Sequence, residues 1–153
     1  MSNRYWLFNT DETEPEGEGA YQDMLAQSVI AAWGNCKGVG AELTLNRPDA
    51  GETVFFFLAG TGIIASGQLT GRAFKADTIF AQDGEYHRKV KNLRRKLRNP
   101  LTVADIRENT DYNLPARGCI VCQLHDESGA RYIAKYFQNG PISKGRTAKK
   151  SSR

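Results

Sequence analysis

The 153-residue sequence predicts an α+β fold, and three observations carry that prediction. The chain opens on a strand-like run, Tyr5-Trp6-Leu7-Phe8-Asn9-Thr10, rich in the aromatic and aliphatic residues that fill pleated, buried surfaces. A second run, Val54-Phe55-Phe56-Phe57-Leu58, turns through Gly60-Thr61-Gly62 into Ile63-Ile64-Ala65-Ser66-Gly67-Gln68-Leu69, which reads as a β-hairpin. Near the end, Ala130, Ile133, Ala134 and Phe137 recur at helical spacing.

The remaining elements follow in order. Asp11 to Gly19 is an acidic loop containing Gly and Pro. Ala20 to about Gln27 reads as a helix, with Tyr21, Met24, Leu25 and Ser28 on one face. Ser28 to Trp33 either extends that helix or peels into a strand. Gly38-Val39-Gly40 is a loop, and Leu43 and Leu45 with polar neighbours suggest a short half-buried strand. Asn46 to Gly51 is a turn, and Thr53 to Leu58 is a strand buried on both faces. Tyr86, Val90, Leu93 and Leu97 fall at helical spacing; as a strand, the same segment needs a bulge to bring its apolar residues to one face. Thr102 is an N-cap with Asp105 three residues on, and Cys119 to Leu124 is a strand. Asp126 or Ser128 caps the last helix and Gly140-Pro141 stops it. Residues 1–142 make a single domain, and 143–153, basic and without apolar content, form a disordered tail.

Charge is distributed unevenly. The net charge is +4, yet residues 1–85 hold five Lys/Arg against twelve Asp/Glu, while 86–153 hold sixteen against five. Arg88, Lys89, Lys91, Arg94, Arg95, Lys96 and Arg98 run without an intervening acid. Such a run favours a polyanion partner over a merely solvated surface, and nucleic acid is the leading candidate. No apolar stretch approaches a membrane span and no secretory pattern is seen. Three cysteines, an odd number, argue against a disulfide framework and suit a cytoplasmic setting.

One constellation suggests a site. Trp33, in Ala31-Ala32-Trp33-Gly34-Asn35, is expected at the exit of a helical segment, and the first strand ends in Asn9-Thr10-Asp11. Trp33 is either core or an aromatic plate that stacks a flat ring whose edge the polar residues test. Other chemistry is weak. Cys119 and Cys122 with His125 lack the second half of a zinc site, and buried core cysteines are the simpler reading. His87 and His125 have no nucleophile beside them, and Gly38-x-Gly40 is not a nucleotide fingerprint. No catalytic residue, metal or cofactor is expected.

These residues, in this order, resemble a family. Tyr-Trp-Leu-Phe-Asn-Thr is similar to the opening motif of EVE domains, commonly Tyr-Trp-Leu-Phe-Lys-Thr-Glu-Pro. The strand–helix–Trp order, the hairpin and the Arg94-Arg95 segment resemble both EVE and YTH domains of the PUA-like group, over about residues 4–137. The chain departs from the EVE motif at Asn9 and Asp11, and no tryptophan follows Trp33.

The resemblance implies a strongly curved, barrel-like mixed sheet flanked by short helices. It implies a non-enzymatic reader that holds a modified base of DNA or RNA, with methylation the expected modification, in an aromatic pocket. On that basis the base pocket comprises Asn9, Thr10, Asp11, Trp33, Gly34 and Asn35, with Phe74, Phe80 or Tyr86 as the second aromatic. Lys89, Lys91, Arg94, Arg95, Lys96 and Arg98 meet the backbone from a strand, overriding the helical spacing. An adaptor module with a basic face, or an accessory domain of an RNA-modification system, are the alternatives; a partner protein or fused effector fits either.

Overall fold

The computed structural model describes residues 4–10, 19–36, 38–114 and 120–138. Most of the acidic loop after Thr10, Cys119, the Gly140-Pro141 stop and the basic tail lie outside them. The fold is α+β, built on a strongly curled half-barrel sheet with a few short helices. Its strands run in the spatial order β2 (Val29–Trp33), β8 (Glu85–Arg95), β6 (Gly62–Leu69), β5 (Thr53–Leu58), β1 (Tyr5–Asn9) and β9 (Val121–Leu124). A two-residue β7 (Phe74–Lys75) also pairs with β8, and β3 (Asn35–Cys36) and β4 (Val39–Gly40) form a separate small hairpin.

The opening strand is central: β1 lies parallel to β5 and antiparallel to β9. Trp6 and Phe8 join Val54, Phe56, Ile64, Leu69 and Val90 in one core, while Leu7 joins Phe55, Phe57 and Ile63 in a second. A strand buried on both faces needs no polar alternation, which explains the unbroken aromatic runs. The second core is closed by α3 (Val103–Thr110) and α4 (Glu127–Gln138) through Ile106, Ile133 and Phe137. Thr102 Oγ1 accepts the Asp105 amide at 3.0 Å and Asp126 Oδ1 accepts the Gly129 amide at 3.0 Å, so both predicted caps form.

Several expectations are corrected, the first being the loop over Gly38-Val39-Gly40, where Val39–Gly40 is a short strand paired with Asn35–Cys36. The helix α1 (Ala20–Gln27) ends at Ser28, whose φ of 57° reverses the chain; the following apolar residues pair with β8, so Trp33 leaves a strand rather than a helix. Leu43 and Leu45 lie on α2 (Ala41–Leu45), not on a strand. Ala41, Thr44 and Leu45 are its buried residues, a helical spacing that the apparent Leu43/Leu45 alternation masked, and Leu43 is 65% exposed. Cys122 is buried in the core as expected, but it is disulfide-bonded, against the expectation from the odd cysteine count.

The contested segment is a strand, and it contains the required bulge. Ser66 pairs with Arg94 and Gln68 with Lys91, so three steps on β8 oppose two on β6. Asn92 absorbs the extra residue at φ 54°. The buried positions therefore move from Val90 to Leu93, a spacing of three that imitates a helix. Gly67 faces this irregularity, and a Cβ there would collide with Val90 Cγ1.

Candidate functional site

The two tryptophans do different work. Trp6 is 2% exposed; its indole N–H donates to Glu52 Oε1 at 2.8 Å, and the Arg4 and Arg47 guanidinium groups lie 5.1 and 5.3 Å from its ring. Glu52, itself buried, also accepts Arg4 Nε and the Asp49 amide, so Trp6 is a satisfied structural residue. Trp33 is only partly buried, packing on the main core from the end of β2.

Beyond Trp33 the chain turns at Gly34, with φ 71°, which swings Asn35 into the small hairpin and leaves the indole at the mouth of a cleft. The cleft measures about 230 Å³. Trp33 and Phe80 form its aromatic lining; their rings pack against each other, with centroids 6.4 Å apart and planes tilted by 49°, and Phe80 is 6% exposed. Buried Ala31 and Ala32, with Ile120, supply apolar surface, and Gly34 and exposed Asn35 complete the lining. A volume this small suits a single flat ring rather than a drug-sized molecule.

The polar strand end lies close by. The Asn9 amide donates to the Ile120 carbonyl at 2.8 Å, which draws the end of β1 to a residue of the cleft. Thr10 is wholly buried and its hydroxyl donates to the Phe57 carbonyl at 3.1 Å. Asp11 lies outside the described residues. Of the pocket residues expected from sequence, Trp33, Gly34 and Asn35 line the cleft. Of the three candidates for a second aromatic, Phe80 faces Trp33; Phe74 instead stacks edge-on against His87, and Tyr86 packs on the core from β8.

Sequence reasoning missed the group that holds the Phe80 wall. Glu85 is 1% exposed. Its Oε1 accepts the Phe80 and Ala81 amides at 3.0 and 2.9 Å, and its Oε2 accepts the Ile79 amide at 3.0 Å. His87 Nε2 lies 2.6 Å from the same Oε2. The available signal was an acid immediately preceding a long acid-free basic run.

That basic run divides by role. Arg88 is buried, donating to the carbonyls of Leu45, Pro48 and Gly71 at 2.9, 2.7 and 3.1 Å. Burial, helped by Arg72, pulls its guanidinium below the usual arginine pKa, against the opposing pull of Asp49 and Glu52. Lys89, Lys91 and Arg98 are exposed, and Lys89 Nζ lies 5.8 Å from the Phe74 ring. Arg94, partly buried, donates to the Gln138 carbonyl at 3.0 Å; Lys96 sits 4.4 Å over Tyr136; Arg95 is partly buried. Because the bulge resets the alternation, Lys89, Lys91 and Arg94 emerge on one side of β8.

No family model matches the chain, and no curated protein resembles it in sequence. Solved structures do share its fold. The YTH domain of mmi1, solved as an RNA complex, superposes with a TM-score of 0.52 at 13% identity, covering 88% of this chain and 81% of that one. The Toxoplasma CPSF4-YTH domain in apo form gives 0.53 at 9% identity, over 94% and 90% of the two chains. A Rhodopseudomonas palustris protein solved by NMR gives 0.51 at 13% identity, over 88% and 92%.

Proposed function

We propose that this chain is a non-enzymatic nucleic-acid reader, an EVE-like member of the PUA-like group, that stacks one flipped or single-stranded modified base on Trp33, in the cleft that Phe80 helps to line. The observation that carries the reading is the partly exposed Trp33 beside a ring-sized cleft, with buried Phe80 packed against its indole. The strand that lines the cleft, β2, pairs along its length with β8, which carries the exposed Lys89 and Lys91. The RNA complex of the mmi1 YTH domain, a similar fold, supports nucleic acid as the partner class and RNA as the first to test.

Energetics assign the parts different tasks. Extracting a base from a duplex costs a few kcal/mol, so single strands or damaged pairs are favoured. Stacking on Trp33 returns about 1–3 kcal/mol. A methyl group buried against Ala31, Ala32 or Ile120 adds roughly 0.8 kcal/mol, too little for sharp discrimination by itself. Further selectivity comes from polar groups that the wrong base leaves unpaired. With the Thr10 hydroxyl committed to Phe57, Asn35 on the cleft joins the strand end at Asn9 in that role. Lys89 and Lys91 meet phosphates and set affinity without reading sequence.

The test is a binding titration with short single-stranded RNA and DNA oligonucleotides, each with and without one methylated base. A clear preference for a methylated strand is the expected result. Equal binding of all four, with the same affinity for heparin, returns the protein to the adaptor reading.

A further inference from the structure

The cleft has one wall on the sheet and one on a loop, and only the first is held by strand pairing. Trp33 belongs to β2, paired to β8 along its length. Phe80 sits in the segment between β7 and β8, where no described residue from 76 to 84 belongs to a strand or helix. The next residue, Ala81, has φ 56°, a left-handed conformation that an alanine adopts at a cost. A loop in that state relaxes unless something external fixes it.

We infer that Glu85 is the positioning residue for base recognition: its buried carboxylate gathers the amides of Ile79, Phe80 and Ala81 and so holds the Phe80 ring against Trp33, fixing the indole on which the base stacks. This rests on the proposed reading of the cleft as a base pocket. Three successive amides converging on one carboxylate form an anion-binding turn whose anion is supplied by the protein itself. Charge-assisted bonds of this kind are stronger than neutral ones and resist loss in a buried setting. His87, 2.6 Å from Oε2, occupies a further lone pair of the carboxylate and limits its rotation. The side chain of Thr78, bonded to Gln27 at 3.1 Å, tethers the loop's approach to the end of α1.

Sheet register makes the arrangement direct. Glu85 is the β8 partner of Trp33, so the carboxylate and the indole leave adjacent strands side by side. The separation of the two rings is therefore set by a short path through one side chain and three amides. Glu85 touches no base in this scheme; it acts through Phe80.

The experiment compares wild type, Glu85→Gln, Phe80→Ala and the double variant. Glutamine keeps the size of the side chain but presents an NH₂ group where an acceptor is needed. Amide hydrogen exchange on the free proteins should show the Ile79, Phe80 and Ala81 amides exchanging at least tenfold faster in Glu85→Gln, with β1 and β5 amides unchanged. Preference for a methylated over an unmethylated oligonucleotide should fall at least fivefold in both single variants and no further in the double variant, because both remove the same wall. Affinity for the unmethylated strand should stay within about twofold.

Unchanged exchange at those three amides overturns the proposal, as does faster exchange with full preference retained. A purely structural role would lower affinity for both oligonucleotides alike and would add to Phe80→Ala, which also overturns it. If wild type shows no preference at all, the base-pocket reading fails and the proposal with it, an outcome distinct from failure in the variant alone. Should Glu85→Gln not fold, Glu85→Asp, which keeps the charge but shortens its reach, is put through the same exchange and binding comparison.

Discussion

Trp33 and Glu85 are register partners across β2 and β8, so the partly exposed aromatic of the cleft and the buried carboxylate share one rung of the sheet. The rung joins a surface that can stack a ring to the anchor of the facing loop. Trp6 shows the contrast: it is enclosed by Arg4, Arg47 and Glu52 and has no face to offer.

Truncating the two tryptophans should separate stability from binding. Trp33→Ala is expected to lower affinity for the preferred oligonucleotide by about 1–3 kcal/mol while shifting the melting temperature little. Trp6→Phe leaves Glu52 without its indole donor in a buried site and should cost stability of about 1–3 kcal/mol. Thermal unfolding beside oligonucleotide titration checks both. A Trp33→Ala protein that melts as readily as a core variant would mark Trp33 as packing alone.

Arg88 should behave as a structural residue within a basic run. Replacing it with Met preserves its aliphatic bulk but deprives the buried carbonyls of Leu45 and Pro48, and the more exposed carbonyl of Gly71, of their donor. Since each unsatisfied buried group costs about 1–3 kcal/mol, Arg88→Met should lose roughly 3 kcal/mol or more in chemical denaturation. Lys91→Met, three positions along and exposed, should change stability by less than about 0.5 kcal/mol. Equal effects would contradict the division.

The bulge supplies another test. A methyl at Gly67 runs into Val90 Cγ1 and comes within 3.2 Å of the Lys91 carbonyl. Gly67→Ala should destabilise by about 1–3 kcal/mol through overpacking, and Gly67→Ala with Val90→Ala should recover part of that loss. Denaturant midpoints measure it; no recovery in the double variant would show that the backbone, not Val90, is the obstacle.

The same bulge shows how much of the fold could be read from sequence. Long apolar runs identified β1, β5 and β6 because burial on both faces leaves only one pattern to see, and Thr102 was legible because capping is local chemistry. Residues 86–97 misled by period because Asn92 inserts one step into a strand, turning an alternation of two into a spacing of three. Family resemblance, not periodicity, led to the strand. At the site, Trp33, Gly34 and Asn35 are adjacent in sequence and were found together. Phe80 stood among three candidates, and Glu85 was missed altogether. Their roles depend on a loop folding back onto a strand start, which no local pattern encodes. Arg88 looked like its neighbours because charge in a sequence does not reveal burial.

The exposed lysines provide the last prediction. The resemblance puts Lys89, Lys91, Arg94, Arg95, Lys96 and Arg98 on the phosphates; among them Arg94 bonds the Gln138 carbonyl at the end of α4, and Arg94 and Arg95 are partly buried. Lys89 and Lys91 are exposed, lie on one side of β8, and begin four residues, about 13 Å of strand, beyond Glu85. Neutralising both with Gln should weaken methylated and unmethylated strands by a similar factor. A phosphate that no longer meets a lysine keeps its counterion, so the slope of log affinity against log salt should shallow by about 1.4 for a single strand or 1.8 for a duplex. Preference for the methylated base should survive, because backbone contacts carry no base information. Titrations at three salt concentrations with both oligonucleotides measure slope and preference together. An unchanged slope would remove this side of β8 from the interface. Loss of preference at constant slope would instead bring a lysine into the cleft beside Trp33 and end the separation of affinity from selectivity argued for this fold.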